Sequence, residues 1–249
     1  MARNTRIHVA AELASEQELL LPPTASAHLL RVLRLRVGAA LTLFNGRGGE
    51  YSAELTGTDK SGARVRIGAF DSVERESPLQ LTLLQGIARG ERMDLIVQKA
   101  TELGVNSIVP LSCEFSVVRL APQALARRCE RWQAVAISAC EQCGRNRPPL
   151  VEPIVELDVA CAAITAGDAS LRLMLVPEAS ESLSALARGT LRSVALLVGP
   201  EGGLSGREQL LVQRAGFRAC RLGPRTLRTE TAPLAALAAL QALVGDLAS

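Results

Sequence analysis

The stretch Val194-Ala-Leu-Leu-Val-Gly-Pro-Glu-Gly-Gly-Leu-Ser205 decides the fold class. Its first five residues are apolar without alternation, the pattern of a strand buried on both faces of a parallel sheet. Gly199, Pro200, Gly202 and Gly203 then turn the chain. Ser205, with Glu208 three residues later, forms a capping box that opens a helix over Ser205–Ala215. Strand, tight loop and helix in that order form the repeating unit of an open α/β sheet. Working outward, Leu171–Val176 is a second buried strand and Arg218–Leu222 a third, with a short helix about Leu183–Ala187 and a last helix over Thr231–Leu247. Upstream, the spacing predicts a strand at Leu79–Ala88, a helix at Glu91–Leu103 stopped by Gly104, a strand at Ser107–Leu111 and a long helix at Pro122–Cys143. The long helix turns Leu125, Cys129, Trp132, Val135, Ala136 and Ala139 inward.

The rhythm before residue 72 is different. Ile7 and Val9, Leu41–Phe44, Tyr51–Leu55 and Ala63–Ile67 are period-two runs separated by Gly38, by Asn45-Gly-Arg-Gly-Gly49 and by Asp59-Lys-Ser-Gly62. One helical piece, Ser26–Leu35, interrupts them, with Leu29, Leu30 and Leu33 on one face and Arg31 and Arg34 on another. Asp71–Pro78 is polar and linker-like. The expected organisation is a small β domain over 1–72 and an α/β domain over 73–249.

Composition narrows the function. With 48% hydrophobic residues in 249, the chain has ample core material, which excludes disorder. Aromatics at 2% exclude a surface of stacked rings, so any nucleic acid must be held by phosphate contacts and backbone loops. The net charge of +3 is mild, but Lys60 and Lys99 are the only lysines, so the cations are nearly all arginine, the side chain suited to bidentate phosphate binding. The start carries no apolar leader, and Ala232–Val244, interrupted by Gln241, is too short to span a bilayer, so a soluble cytoplasmic protein is expected. The six cysteines are then expected to be reduced. Cys140-x-x-Cys143 has no second pair to complete a zinc site, and no metal is expected.

Open parallel sheets bind ligands beyond the carboxyl ends of their strands. Three loops leave such ends: Val176-Pro-Glu178, Val198-Gly-Pro-Glu-Gly-Gly203 and Leu222-Gly-Pro-Arg-Thr-Leu-Arg-Thr-Glu-Thr231. Their glycines admit close approach to the backbone and their prolines fix loop shape, which points to a small-molecule pocket. The glycine spacing fits neither the dinucleotide fingerprint nor a triphosphate loop. Both histidines, His8 and His28, lie in the N-terminal part, so no Ser-His-Asp arrangement is available.

Four segments in order, Gln98–Val105, Glu141–Arg145, Gly199–Gly203 and Leu222–Ala232, resemble the bacterial 16S ribosomal RNA uridine-N3 methyltransferases, the ribosomal RNA small subunit methyltransferase E family of the SPOUT superfamily. The resemblance implies an α/β, trefoil-knotted parallel-sheet domain preceded by a small PUA-like β-barrel domain, a homodimer, and S-adenosylmethionine as methyl donor. It implies cofactor contacts from Val176, Glu178, Val198, Gly199, Pro200, Glu201, Gly202, Gly203, Leu222, Gly223, Pro224, Leu227, Arg228 and Thr229. The partner it implies is 16S rRNA in the small ribosomal subunit, met by Arg3, Arg6, Arg31, Arg34 and Arg36, with Arg145 and Arg147 nearer the pocket. Phe115 and Thr226 depart from the family pattern, which more often has a basic and an aliphatic residue there.

Methylating N3 of uracil requires a proton to leave an imide while charge grows on two carbonyls. Arg228 and Arg145 are candidates to stabilise that charge, and Glu201, Glu230 and Glu141 to take the proton. Each has a structural alternative, such as a helix-end charge for Glu230 or a Glu141–Arg145 surface pair. A nicotinamide-dependent oxidoreductase and a non-catalytic RNA-binding protein remain open on the α/β pattern.

Overall fold

The computed structural model of the chain describes residues 5–116, 122–167 and 169–247. The chain divides into two compact units, Met1–Glu76 with Cys140–Pro148, and Ser77–Ala139 with Pro149–Ser249.

The first unit is built on β1 (Thr5–His8), β2 (Glu18–Leu20), α1 (Pro23–Ala27), β3 (Ala40–Phe44), β4 (Glu50–Asp59) and β5 (Gly62–Asp71). Its sheet has the order β1-β3-β4-β5-β2, with β1 parallel to β3 and the other neighbours antiparallel. Alternation works as expected in β5, where Ala63, Val65 and Ile67 are buried and Arg64 and Arg66 exposed. They join Ile7, Leu41, Leu43 and Leu55 in one apolar core. The helical piece differs from its expected span of Ser26–Leu35. It begins at Pro23, whose fixed φ suits a first helical turn, and closes in a single π-helical turn at His28–Val32. Ser26 does not start the helix: its hydroxyl donates to Leu21 O (3.0 Å) and accepts from Ala63 N (3.1 Å). Arg34 then takes a left-handed φ of 54°, which turns Leu33 out of the core to 40% exposure while Leu29 stays buried. Strand β2 had no sequence signal beyond its length of three residues.

The second unit contains β6 (Gln80–Gly86), α2 (Arg92–Glu102), β7 (Ser107–Ser112), α3 (Pro122–Cys143), β8 (Leu150–Val151), β9 (Val155–Glu156), α4 (Leu157–Ala166), β10 (Leu171–Leu175), α5 (Leu183–Leu186), β11 (Ser193–Val198), α6 (Gly206–Arg214), β12 (Arg218–Cys220) and α7 (Thr231–Val244), except that the last residues of α3 belong to the first unit. All strand pairs are parallel, in the order β12-β10-β11-β6-β7-β8, with β9 also on β7. Successive residues of the central strands enter opposite cores. Leu81, Leu83, Leu196 and Val198 meet Met93, Ile96, Trp132, Leu237 and Leu240 on one side. Leu84, Ala195 and Leu197 meet Leu157, Ala160, Cys161 and Val212 on the other. Burying each such Leu or Val contributes about 1.5–3 kcal/mol, and the two-sided demand explains the unbroken apolar runs. Among the described residues no helix is long and apolar enough to cross a membrane.

The capping box forms as read: Ser205 Oγ accepts from Glu208 N (3.3 Å) and the Glu208 carboxylate accepts from Ser205 N (2.8 Å). It sets where the Gly199–Leu204 loop ends. Ser205→Ala is expected to lower unfolding stability by about 1 kcal/mol, read from urea denaturation.

Candidate active site

A cavity of about 640 Å³ lies beyond the carboxyl ends of β10, β11 and β12, inside the second unit. Its wall contains Leu175–Glu178, Val198–Leu204, Gln209, Cys220–Gly223, Arg225–Glu230, Ala232 and Arg92. Volume and mixed lining suit a small organic ligand. The three loops named from the sequence therefore do converge, and every cofactor position named above lines the cavity except Pro224, which is exposed on the loop and outside the wall.

The loops are held together underneath. A Cβ on Gly86 would sit 2.4 Å from Pro200 N and 2.8 Å from Gly199 C, so the end of β6 lies directly against the turn that leaves β11. From buried Gln85, Nε2 donates to Gly86 O (2.9 Å) and to Thr229 Oγ1 (3.4 Å). Thr229 Oγ1 in turn donates to Gly199 O (3.0 Å). One amide and one hydroxyl thus link three chain segments below the cavity. Gly203 N donates to Pro200 O (2.8 Å), closing the turn itself. On the outer side of that turn, Phe115 Cβ lies 2.8 Å from where a Cβ on Gly202 would be. The Phe115 side chain packs on the loop here.

The charged candidates fall into different places. Glu201 accepts from Arg89 N (2.9 Å) and from Arg92 Nη1 (2.8 Å). Burial pushes its carboxyl up, but the Arg89 N–H and the Arg92 guanidinium outweigh it and hold the group below its ordinary range. Glu230 lies 3.7 Å from Arg92 Nε. Glu201 is thus an engaged carboxylate and a weak proton acceptor, and Glu230 is paired with the same guanidinium. Arg228 is exposed at the cavity, with no ion pair or side-chain hydrogen bond to another described residue, while its carbonyl accepts from Thr231 N and Ala232 N (2.9 Å each) at the start of α7.

Arg145 and Glu141 lie in the first unit and do not line the cavity. Arg145 is 4% exposed, and its Nε sits 3.1 and 3.0 Å from the two oxygens of Glu76. The expected Glu141–Arg145 pair does not form, because α3 ends at Cys143; Glu141 instead accepts from His8 N (3.0 Å), and burial pushes its carboxyl up. Arg6 is likewise committed. It pairs with Glu50, donates to Asn146 Oδ1 (2.6 Å) and Arg145 O (3.2 Å), and lies 4.8 Å over the Phe44 ring. Arg147 pairs with Glu74 at 2.9 Å. Arg31, Arg34 and Arg36 are exposed, without an ion pair or side-chain hydrogen bond to another described residue. Arg3 lies outside the described residues. Cys140 and Cys143 are free thiols, with Cys140 pushed up by the hydrogen bond its thiol donates to Cys143 and by burial, which removes thiolate reactivity. Among the described residues no group of three or more His, Cys, Asp or Glu stands where it could hold a metal ion.

Sequence reading missed Gln85, Gly86 and Arg92. The signal was present, since Gln85-Gly-Ile-Ala-Arg-Gly-Glu-Arg92 is also the carboxyl end of a buried strand, and the same rule applied to β6 would have found it.

Residues 75–241 match the RNA methyltransferase domain family and residues 21–68 the RNA methyltransferase PUA domain family. Ribosomal RNA small subunit methyltransferase E of Buchnera aphidicola from Schizaphis graminum is 31% identical over 98% of both chains. The Bacillus subtilis protein of the same name is 31% identical, covering 86% of this chain and 85% of its own. Among solved structures, a putative methyltransferase from Legionella pneumophila in complex with S-adenosylmethionine is 41% identical with a TM-score of 0.94, over 99% of this chain and 100% of that one. Ribosomal RNA small subunit methyltransferase E from Neisseria gonorrhoeae, bound to S-adenosylmethionine, is 40% identical with a TM-score of 0.88, over 98% and 100%.

Two tests follow from this geometry. Gly86→Ala drives a methyl group into backbone that cannot move freely, so chemical denaturation should show a loss of about 1–3 kcal/mol. Arg145→Ala strands a buried Glu76 and should cost about 3 kcal/mol or more, measured in the same way; an unchanged midpoint would show that the pair carries no weight.

Proposed function

We propose that this chain, which belongs to the ribosomal RNA small subunit methyltransferase E family of RNA methyltransferases, carries a methyl group from S-adenosylmethionine to N3 of a specific uridine in 16S rRNA. The observation that carries the reading is the cavity lined by three strand-end loops, in a chain similar along nearly its whole length to structures bound to that donor.

The residues fit the donor. Gly203 and Gly223 have φ of +71° and +108°, and a Cβ on either would meet nothing within 4 Å, so a ligand can come against the backbone there. Val176, Val198, Leu222 and Leu227 supply apolar wall, and Glu178 and Thr229 supply polar groups. These residues, with Gly199–Gly203, would hold it. When bound, it supplies a methyl group on a positively charged sulfur that needs no further activation.

The chain's own task is then alignment and charge. We assign Arg228 to neutralising the negative charge that grows on the uracil carbonyls as N3 loses its proton. Glu201 is already held by the Arg89 N–H and the Arg92 guanidinium, which disfavours it as the base. Arg31, Arg34 and Arg36 are assigned to RNA phosphates, as unpaired cations on the β domain taken over 1–72. The reading includes action as a cytoplasmic homodimer on the small ribosomal subunit, carried over from the family resemblance. It also includes the trefoil knot. Its support is that β12 lies at the sheet edge while α7, which follows, packs beside α2, so the connection must cross the ends of β10 and β11.

Transfer of labelled methyl into small-subunit particles, compared with naked 16S rRNA and followed by mass identification of the nucleoside, tests the whole reading. Methyl on uridine N3 is expected, and no incorporation into either substrate overturns it. Arg228→Ala should lower turnover about 100-fold while S-adenosylmethionine affinity stays within about twofold. Equal turnover would remove Arg228 from the reaction. The kcat/KM profile of Glu201→Gln should keep the inflections of the parent between pH 5 and 8, since a lowered carboxyl is ionised throughout that window. Replacing Arg31, Arg34 or Arg36 by Ala should flatten the dependence of log K on log salt by roughly one unit each.

A further inference from the structure

Arg92 is the first residue of α2, where the exposed N–H groups of the first turn make a cation unfavourable. Something must offset that cost. Two carboxylates do: Glu201 Oε1 lies 2.8 Å from Nη1, and Glu230 Oε1 lies 3.7 Å from Nε. They come from the two glycine-rich loops, one leaving β11 and the other leading into α7. The backbone N–H of Arg89, in the same connection as Arg92, also donates to Glu201 Oε1 at 2.9 Å.

The ordinary reading of Glu230 is a helix cap. It does stand at the N-cap of α7, but its side chain makes no capping hydrogen bond and turns to Arg92 instead. The ordinary reading of an Arg–Glu contact is a surface ion pair of little consequence. Here the Glu201 and Glu230 side chains are only 27% and 18% exposed, and Arg92, itself 39% exposed, lines the cavity. A planar fork can meet two carboxylates from separate loops, which a single ammonium cannot do with the same geometry.

We propose that Arg92 is a positioning residue of this site, holding Glu201 and Glu230 across one guanidinium so that the two cofactor loops keep a fixed separation. The inference rests on the methyl-donor reading above. Arg92 acts through the loops rather than on the reacting atoms. Its loss widens the gap between the Pro200–Gly203 turn and the Arg228–Glu230 segment, and the donor must then reorder both loops on binding. The consequence falls on donor affinity and KM, with kcat affected much less.

The test is calorimetric titration of the full-length protein with S-adenosylmethionine, alongside steady-state methylation of small-subunit particles. Arg92→Ala should weaken donor binding about five- to tenfold and raise KM for the donor by a similar factor, with kcat within about twofold. Arg92→Lys should recover part of the affinity. Glu230→Gln should weaken binding less than Arg92→Ala does, and the double variant should bind no worse than Arg92→Ala alone, because both changes break the same tie. Should Arg92→Ala fail to fold, Arg92→Lys and Glu230→Gln carry the same comparison. Donor affinity within twofold of the parent for these variants, or fully additive losses in the double variant, overturns the inference and leaves the methyl-donor reading standing. A parent protein that binds no S-adenosylmethionine overturns that reading, and the inference with it.

Discussion

Strands β11 and β6 run side by side through six paired positions, and at the end of that pairing the backbone of Gly199–Pro200 lies against Gly86 with no room for a side chain. This contact fixes much of the second unit. The strands must be buried on both faces, so they are apolar throughout, and helices must cover both sides. Their carboxyl ends must finish level, so the loop leaving β11 begins at a known depth. Thr229 can then reach Gly199 O, and Gln85 can reach Thr229, only because the two strand ends are already so close. The cavity above them is a consequence of backbone packing before any ligand-specific side chain is considered.

Arginine serves two purposes in this chain, and burial separates them. Arg6 and Arg145 are spent on Glu50 and Glu76 inside the first unit, where a guanidinium fork can satisfy several acceptors at once. Arg31, Arg34, Arg36 and Arg228 are exposed, and their charge is free to act on something outside the chain. Composition counts both kinds alike. A local motif counts them alike as well, so the burial of Arg145 against Glu76 could not be read from the segment that holds it.

Much of the fold was legible because its cause is local. The capping box at Ser205 and Glu208, the full length of α3 at Pro122–Cys143, and the glycine-stopped α2 all depend on residues within a few positions of one another. The two-residue strands β8 and β9 were not legible, since an alternation cannot show in so short a run. Nor was the outward turn of Leu33, which comes from the left-handed Arg34 after a π turn that no residue type demanded. In the site, glycines and apolar wall could be read from strand ends. The state of Glu201 and Glu230 could not, because it depends on Arg92, more than a hundred residues away in sequence.

The first unit is discontinuous in sequence: Cys140–Pro148 completes it after the strands and helices of Ser77–Ala139 have intervened. During synthesis the β-strands up to Asp71 emerge well before Arg145 and Asn146. Until those arrive, Glu76 and Arg6 lack partners that they have in the finished structure. The N-terminal sheet therefore reaches its final polar satisfaction late, after roughly half the chain has been made, and its maturation is tied to the emergence of a neighbour's helix rather than to its own last strand. A fragment cut at the end of β5 would contain every strand of that sheet and the Arg6–Glu50 pair, and still lack Asn146 and the Arg145 carbonyl, which accept the remaining hydrogen bonds of the Arg6 guanidinium.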